Sequence, residues 1–164
     1  EGEESIQLWM GANHVTAAFG SDMYFSRIID ERFPDFESVI PKDNDKELTV
    51  DKSQLLSAVR RVSIFSNRAT HQIAIRLTKD RIQITTEDPE KSSKAQEEIK
   101  GNFNGDDLVI GYNASYLKDI LSHVEGDQVV IKLKTPISAA LFYPATQNEN
   151  SNLTMLLMPI RLND

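Results

Sequence analysis

An α+β domain assembled from two similar halves is the fold this chain predicts, and three observations carry the prediction. A short unit is written twice, as Leu48-Thr-Val-Asp51-Lys-Ser53-Gln-Leu55-Leu-Ser-Ala-Val59 and as Leu108-Val-Ile-Gly-Tyr-Asn113-Ala-Ser115-Tyr-Leu117-Lys-Asp-Ile120-Leu121. Each copy is an apolar strand, then Asp or Asn, then Ser two residues on, then an amphipathic stretch. Each is followed by alternating apolar and polar residues, the period of half-buried strands. Such self-similarity implies pseudo-symmetric halves, each a strand, a helix and three strands. Both helices then pack on one face of strands drawn from both halves, and sheet surface lies on the other.

The elements follow in order. Residues 5–12, 13–19 and 22–29 read as three strands; Val15, Ala17 and Phe19 alternate, and Gly20-Ser21-Asp22 marks a tight turn. Three strands without a helix bury too little to stand alone, so they are expected to close a domain whose earlier part is missing. Phe33-Pro34-Asp35 breaks the pattern, and residues 41–47 are polar enough for a linker. Asp51 is placed to cap a helix with Leu55, Ala58, Val59 and Val62 on its apolar stripe, ending near Asn67. Ile73, Ile75 and Leu77 alternate, Lys79-Asp80 turns the chain, and Ile82 and Ile84 alternate again. Residues 87–94 read as a loop and Ile99–Phe103 as a strand. Asn113 caps the second helix, with Leu117, Ile120, Leu121 and Val124 on one face and Gly126-Asp127 as its stop. Val129, Ile131 and Leu133 form a strand. After the Thr135-Pro136 turn come strands at Ile137–Tyr143 and Leu153–Met158, joined by a polar loop, and Pro159 ends the pairing.

Composition narrows the chemistry. The 164 residues contain no cysteine, so disulfides, thiolate nucleophiles and thiolate metal sites are excluded. The net charge of −7 argues against a tight electrostatic grip on nucleic acid, though not against enclosing it. His14, His71 and His123 lack metal-ligand spacing, and Gly101-Asn-Phe-Asn-Gly105 lacks the lysine and helix of a phosphate loop. No serine sits in a nucleophile elbow. Glu87, Asp88, Glu90, Glu97 and Glu98 read as charged surface.

The tail Met155-Leu-Leu-Met-Pro-Ile-Arg-Leu162 is apolar on both faces of a strand, because successive side chains point opposite ways. One face belongs to the core. The other is expected to border a surface groove suited to short peptides, with Leu157 and Met158 removable without unfolding the chain. From the residues alone, a stand-alone peptide-binding adaptor or an α+β enzyme with its site in that groove remains open. Asn113, Tyr116 and Arg161 supply no evident nucleophile, acid–base pair or metal set.

Several segments, in order and spacing, resemble the bacterial sliding clamp, the beta subunit of DNA polymerase III. They are Arg32-Phe33-Pro34-Asp35-Phe36, Val39-Ile40-Pro41, Ser63-Ile64-Phe65-Ser66-Asn67, Ile110-Gly-Tyr-Asn113-Ala-Ser-Tyr116-Leu117 and Met158-Pro159-Ile160-Arg161-Leu162. The resemblance covers essentially the whole chain. It implies that residues 1–45 are the closing strands of the middle clamp domain plus linker, and residues 46–164 the complete third domain. It implies a processivity factor rather than an enzyme: a two-subunit ring in the bacterial cytoplasm, threaded by duplex DNA without sequence preference, with no cofactor, metal or membrane. By position, the pocket for linear motifs of polymerases, clamp loader and repair proteins would use Pro34, Val39, Thr70, Asn113, Tyr116, Ile137, Ala139, Leu156, Leu157, Met158, Pro159, Ile160, Arg161 and Leu162. Lys52, Arg60, Arg61 and Lys118 would face DNA, and Ile64 and Phe65 the neighbouring subunit. Thr70 stands where the family can carry an aromatic and Ser38 where it can carry an arginine, which bears on motif preference.

Overall fold

The computed structural model describes residues 5–149 and 151–162. Within it the chain falls into two compact units that part between Phe36 and Glu37. In the first, β1 (Gln7–Met10), β2 (His14–Phe19) and β3 (Asp22–Arg27) form an antiparallel meander in that order. Phe19 pairs with Asp22 across a two-residue turn, where Gly20 takes the left-handed backbone that glycine adopts without strain. Leu8, Trp9, Met10, Tyr24 and Phe25 are all exposed, so both faces of this sheet carry uncovered apolar side chains.

The second unit is the repeated one. Its first half is β4 (Lys46–Asp51), α1 (Lys52–Ser63), β5 (Gln72–Thr78), β6 (Arg81–Asp88) and β7 (Ser93–Lys100). After the short β8 (Asn102–Asn104), the second half is β9 (Leu108–Asn113), α2 (Ala114–His123), β10 (Gln128–Leu133), β11 (Ala140–Pro144) and β12 (Met155–Leu157). The halves exchange their first strands. β4 joins the sheet β12-β11-β10-β4-β8, and β9 joins the sheet β7-β6-β5-β9, every pairing antiparallel. The pseudo-symmetry extends to single hydrogen bonds. Asp51 pairs with Gln128 as Asn113 pairs with Gln72, and the Lys52 N–H donates to the Asp127 carbonyl as the Ala114 N–H does to that of His71, both at 2.8 Å.

Local chemistry starts both helices where the sequence puts them. The Asp51 carboxylate accepts from the Gln54 N–H at 2.8 Å and the Ser53 hydroxyl at 2.7 Å, which holds its carboxyl below the usual carboxylate range. The Asn113 amide oxygen accepts from the Ser115 N–H at 2.8 Å, while its Nδ2 donates to the Thr70 carbonyl. Leu55, Ala58, Val59 and Val62 of α1 and Leu117 and Leu121 of α2 enter one core with Phe142, Ile73 and Ile84. Burying each large aliphatic side chain contributes about 1.5–3 kcal/mol.

Several boundaries differ from expectation. β7 begins at Ser93, so most of the expected 87–94 loop is a 3-10 turn at Pro89–Lys91 and the ends of two strands. The strand hid its period because Glu97 occupies an inward position, where the Arg61 guanidinium neutralises it. At Gly101 the chain leaves this sheet for β8 of the other, and a Cβ there would lie 2.5 Å from Ile82 Cδ1. Residues 137–139 are not strand: Thr135 Oγ1 accepts from the Ile137 N–H and the Thr135 carbonyl from the Ser138 N–H, so β11 starts at Ala140. Leu153 is outside the ladder because the Gln147 side chain bonds both its N–H and its carbonyl at 2.9 Å. Asp88, expected on the surface, is buried, with its carboxylate held by Lys91 at 3.1 Å and Asn67 at 3.5 Å.

One core residue violates the rule that buried polar groups are paired. Tyr112 is 2% exposed and its hydroxyl has no partner, so burial pushes the phenol pKa up. The small cavity beside it is otherwise lined by apolar side chains such as Leu48, Ile131 and Phe142, which offer a water no further bond. Tyr112→Phe is therefore expected to raise stability by about 1 kcal/mol, read as a melting temperature higher by roughly 2–4 °C. A lower melting temperature would show that the hydroxyl is satisfied after all.

Candidate functional site

The tail crosses from one sheet onto the other. β12 pairs with β11 through Leu157↔Ala140 and Leu156↔Leu141, and Pro159, with no N–H, ends that ladder. One residue on, the Ile160 N–H donates to the Gly111 carbonyl at 2.8 Å in an isolated bridge to β9. Gly111 is what permits this. A Cβ built there would meet the Ile160 carbonyl oxygen at 2.6 Å and Leu162 Cδ2 at 2.7 Å.

A cleft of about 340 Å³ results. It is lined by Ile160, Arg161 and Leu162 of the tail, Pro136 and Ile137 of the β10–β11 turn, and Val109 and Gly111 of β9. Leu162 also lines a second, more polar cleft with Thr70, Gln72 and Thr85, so the last described residue separates the two. Of the residues expected in a pocket, the structure thus gathers Ile137, Ile160, Arg161 and Leu162 in one cleft, with Thr70 in its neighbour. Val109, Gly111 and Pro136 were not anticipated. A lone glycine inside an apolar strand was the available signal for Gly111, since it marks close backbone approach.

The other expected pocket residues have different placements. Tyr116 and Met158 are 64% and 61% exposed, Leu156 and Pro159 are half-buried, and Asn113 is engaged as a cap. Leu157, 6% exposed, belongs to the hydrophobic core, and Ala139 is buried too. Neither is among the residues that line the cleft, and the burial of Leu157 corrects the expectation that it can be removed without cost to the fold. Val39 is exposed at the end of a 3-10 turn, Phe36–Val39. Pro34 lies in the first unit, exposed, its carbonyl accepting from the Phe36 N–H.

Three of the four candidate DNA-facing cations are held within the chain. Lys52 Nζ donates to the Val124 carbonyl at 2.9 Å, which places a cation at the C-terminus of α2. Arg61 forms a forked pair with Glu97, which lowers the Glu97 carboxyl pKa and raises that of the guanidinium. Lys118 Nζ reaches Ser63 Oγ at 3.4 Å, and Arg60 is exposed. Ile64 and Phe65, at 77% and 46% exposure, project beyond α1, and the Phe65 carbonyl accepts from Ser93 Oγ on β7, an edge strand. Among the described residues no group of three His, Asp or Glu is placed to hold a metal ion, and no helix is long and apolar enough to cross a membrane.

Two strand-exchanged halves closed by a C-terminal tail define a clamp-type domain. The chain belongs to the family of the DNA polymerase III beta subunit, C-terminal domain, whose pattern it matches over residues 37–161. It is 33% identical to the beta sliding clamp of Pseudomonas aeruginosa over 99% of this chain and 43% of that protein. The fold superposes with a TM-score of 0.84 on a P. aeruginosa sliding clamp bound to griselimycin, at 34% identity over 96% of this chain and 42% of that one. The sliding clamp of Caulobacter crescentus gives 0.86, at 30% identity over 96% and 41%. The chain spans less than half the length of the relatives it matches.

Proposed function

We propose that this chain is the C-terminal part of a ring-shaped processivity factor that encircles duplex DNA and holds the replicative polymerase to its template in the bacterial cytoplasm. It does no bond-making chemistry of its own. The observation that carries the reading is the cleft between Ile137 and Ile160–Leu162, an apolar, open-ended recess in a domain of the beta-subunit family. Its shape suits short linear motifs of polymerases, clamp-loader subunits and repair proteins, with Tyr116, Leu156, Met158 and Pro159 contributing at its margins. Residues 1–45 are read as the end of the middle domain with its linker, and residues 46–164 as the third domain; the uncovered apolar faces of β1–β3 support this.

Ring closure as a homodimer is supported by the exposed Ile64 and Phe65 beside the unpaired edge of β7, which another subunit's strand can extend. The net charge of −7 suits a ring that encloses DNA rather than gripping it, with Arg60 the most available cation on α1. Lys52, Arg61 and Lys118 add positive potential while tied to neighbours. The test is primer extension on a long circular template with the full-length parent of this chain, its loader and its polymerase. Longer products per binding event are expected. Unchanged product length with a loaded ring would leave a peptide-binding adaptor as the better reading.

A further inference from the structure

The turn that carries Pro136 and Ile137 is gripped from outside by a residue 88 to 95 positions earlier. Asn44 Nδ2 donates to the Lys132 carbonyl at 3.0 Å and to the Ala139 carbonyl at 3.1 Å. These carbonyls bracket residues 133–138: Lys132 makes the last β10–β11 rung, with Leu141, and Ala139 immediately precedes β11. One amide nitrogen therefore draws both ends of the turn to one point. The orientation of that amide is decided by chemistry. Turned over, it would aim an oxygen at two carbonyls that can only accept. Its Oδ1 is buried without a partner, so the amide is kept for its donors. Asp43 adds an ion pair with Lys134 inside the same turn.

We propose that Asn44 is a positioning residue for the cleft. By closing the base of the 133–138 turn it keeps Pro136 and Ile137 in place in the cleft they line together with Ile160 and Leu162. The proposal rests on the groove reading above. It assigns to the segment leading into β4 a part in ligand affinity without ligand contact. When the turn is loosened, the binding-competent wall is populated only part of the time, and the apparent Kd rises by the inverse of that fraction.

The probe is griselimycin, titrated into the 164-residue chain while methyl NMR shifts of Ile137, Ile160 and Leu162 are followed, which measures weak binding and locates it. Asn44→Ala is expected to weaken binding roughly five- to tenfold, for a wall competent between a tenth and a fifth of the time. In an Ile137→Ala background, Asn44→Ala should weaken it no further, although its effect on the melting temperature persists. If Asn44→Ala does not fold, Asn44→Ser, which keeps one donor, serves the same comparison. An unchanged Kd in the variant, or losses that simply multiply in the double variant, would overturn the role of Asn44 and leave the groove intact. No shifts at these methyls in the unaltered chain would overturn the groove reading and this inference with it.

Discussion

Gly111→Ala is expected to detach the tail from β9 and erase the cleft. The added Cβ would sit 2.6 Å from the Ile160 carbonyl oxygen, and that oxygen is backbone, which cannot swing aside as a side-chain tip can. Leu162 Cδ2 is almost as close, at 2.7 Å. Relief requires the Ile160–Leu162 segment to lift, which breaks the 2.8 Å bond from the Ile160 N–H to the Gly111 carbonyl. Overpacking of this kind costs about 1–3 kcal/mol. The larger effect falls on binding, because three of the residues that line the cleft leave together. On the proposed reading of the cleft as a ligand groove, affinity for a griselimycin probe should drop by at least about tenfold, as for a site competent a tenth of the time or less. Amide exchange at Ile160 should accelerate to match. Retained protection at Ile160 in the variant would show that β9 can yield instead, and the close fit would lose its significance.

The second large effect separates two neighbours in sequence. Leu157 is 6% exposed within the core, so Leu157→Ala should cost about 2–5 kcal/mol from lost burial and the cavity left behind. Met158 is 61% exposed, and Met158→Ala should change stability by no more than about 0.5 kcal/mol. On the proposed groove reading, binding should respond in the opposite sense: Met158→Ala should weaken a griselimycin probe while the protein stays folded, because the flexible thioether side chain is free to meet a ligand. Urea denaturation and the same titration measure both. Equal stability losses at the two positions would place Met158 in the core and remove it from the groove.

Much of the fold was legible because its signals are short-range. Asp51 and Asn113 announced the helix starts, since a cap acts on N–H groups two or three residues ahead. The alternation of Ile73, Ile75 and Leu77 and of Val129, Ile131 and Leu133 announced strands with one face inside. β7 was less legible, because Glu97 stands where an apolar residue would mark the period, and its partner Arg61 is 36 positions away. In the tail, alternation separated the two faces of Leu156–Met158, but nothing in those residues said which face was core.

The candidate site was readable to a similar depth. The apolar tail stood out in its own residues, and Ile137 and Thr70 only by resemblance to the family, whereas Val109, Gly111, Pro136 and the Asn44 support could not be singled out. Sequence by itself determined what neighbours along the chain decide: where helices begin, which residues alternate, and that one unit occurs twice. The tertiary structure alone decided that the halves trade their first strands, that Leu157 points in and Met158 out, and that Gly111 lies beneath the tail. The physical reason is that those outcomes depend on contacts between residues as distant in the chain as Lys46 and Leu133, which no local rule of capping or periodicity specifies.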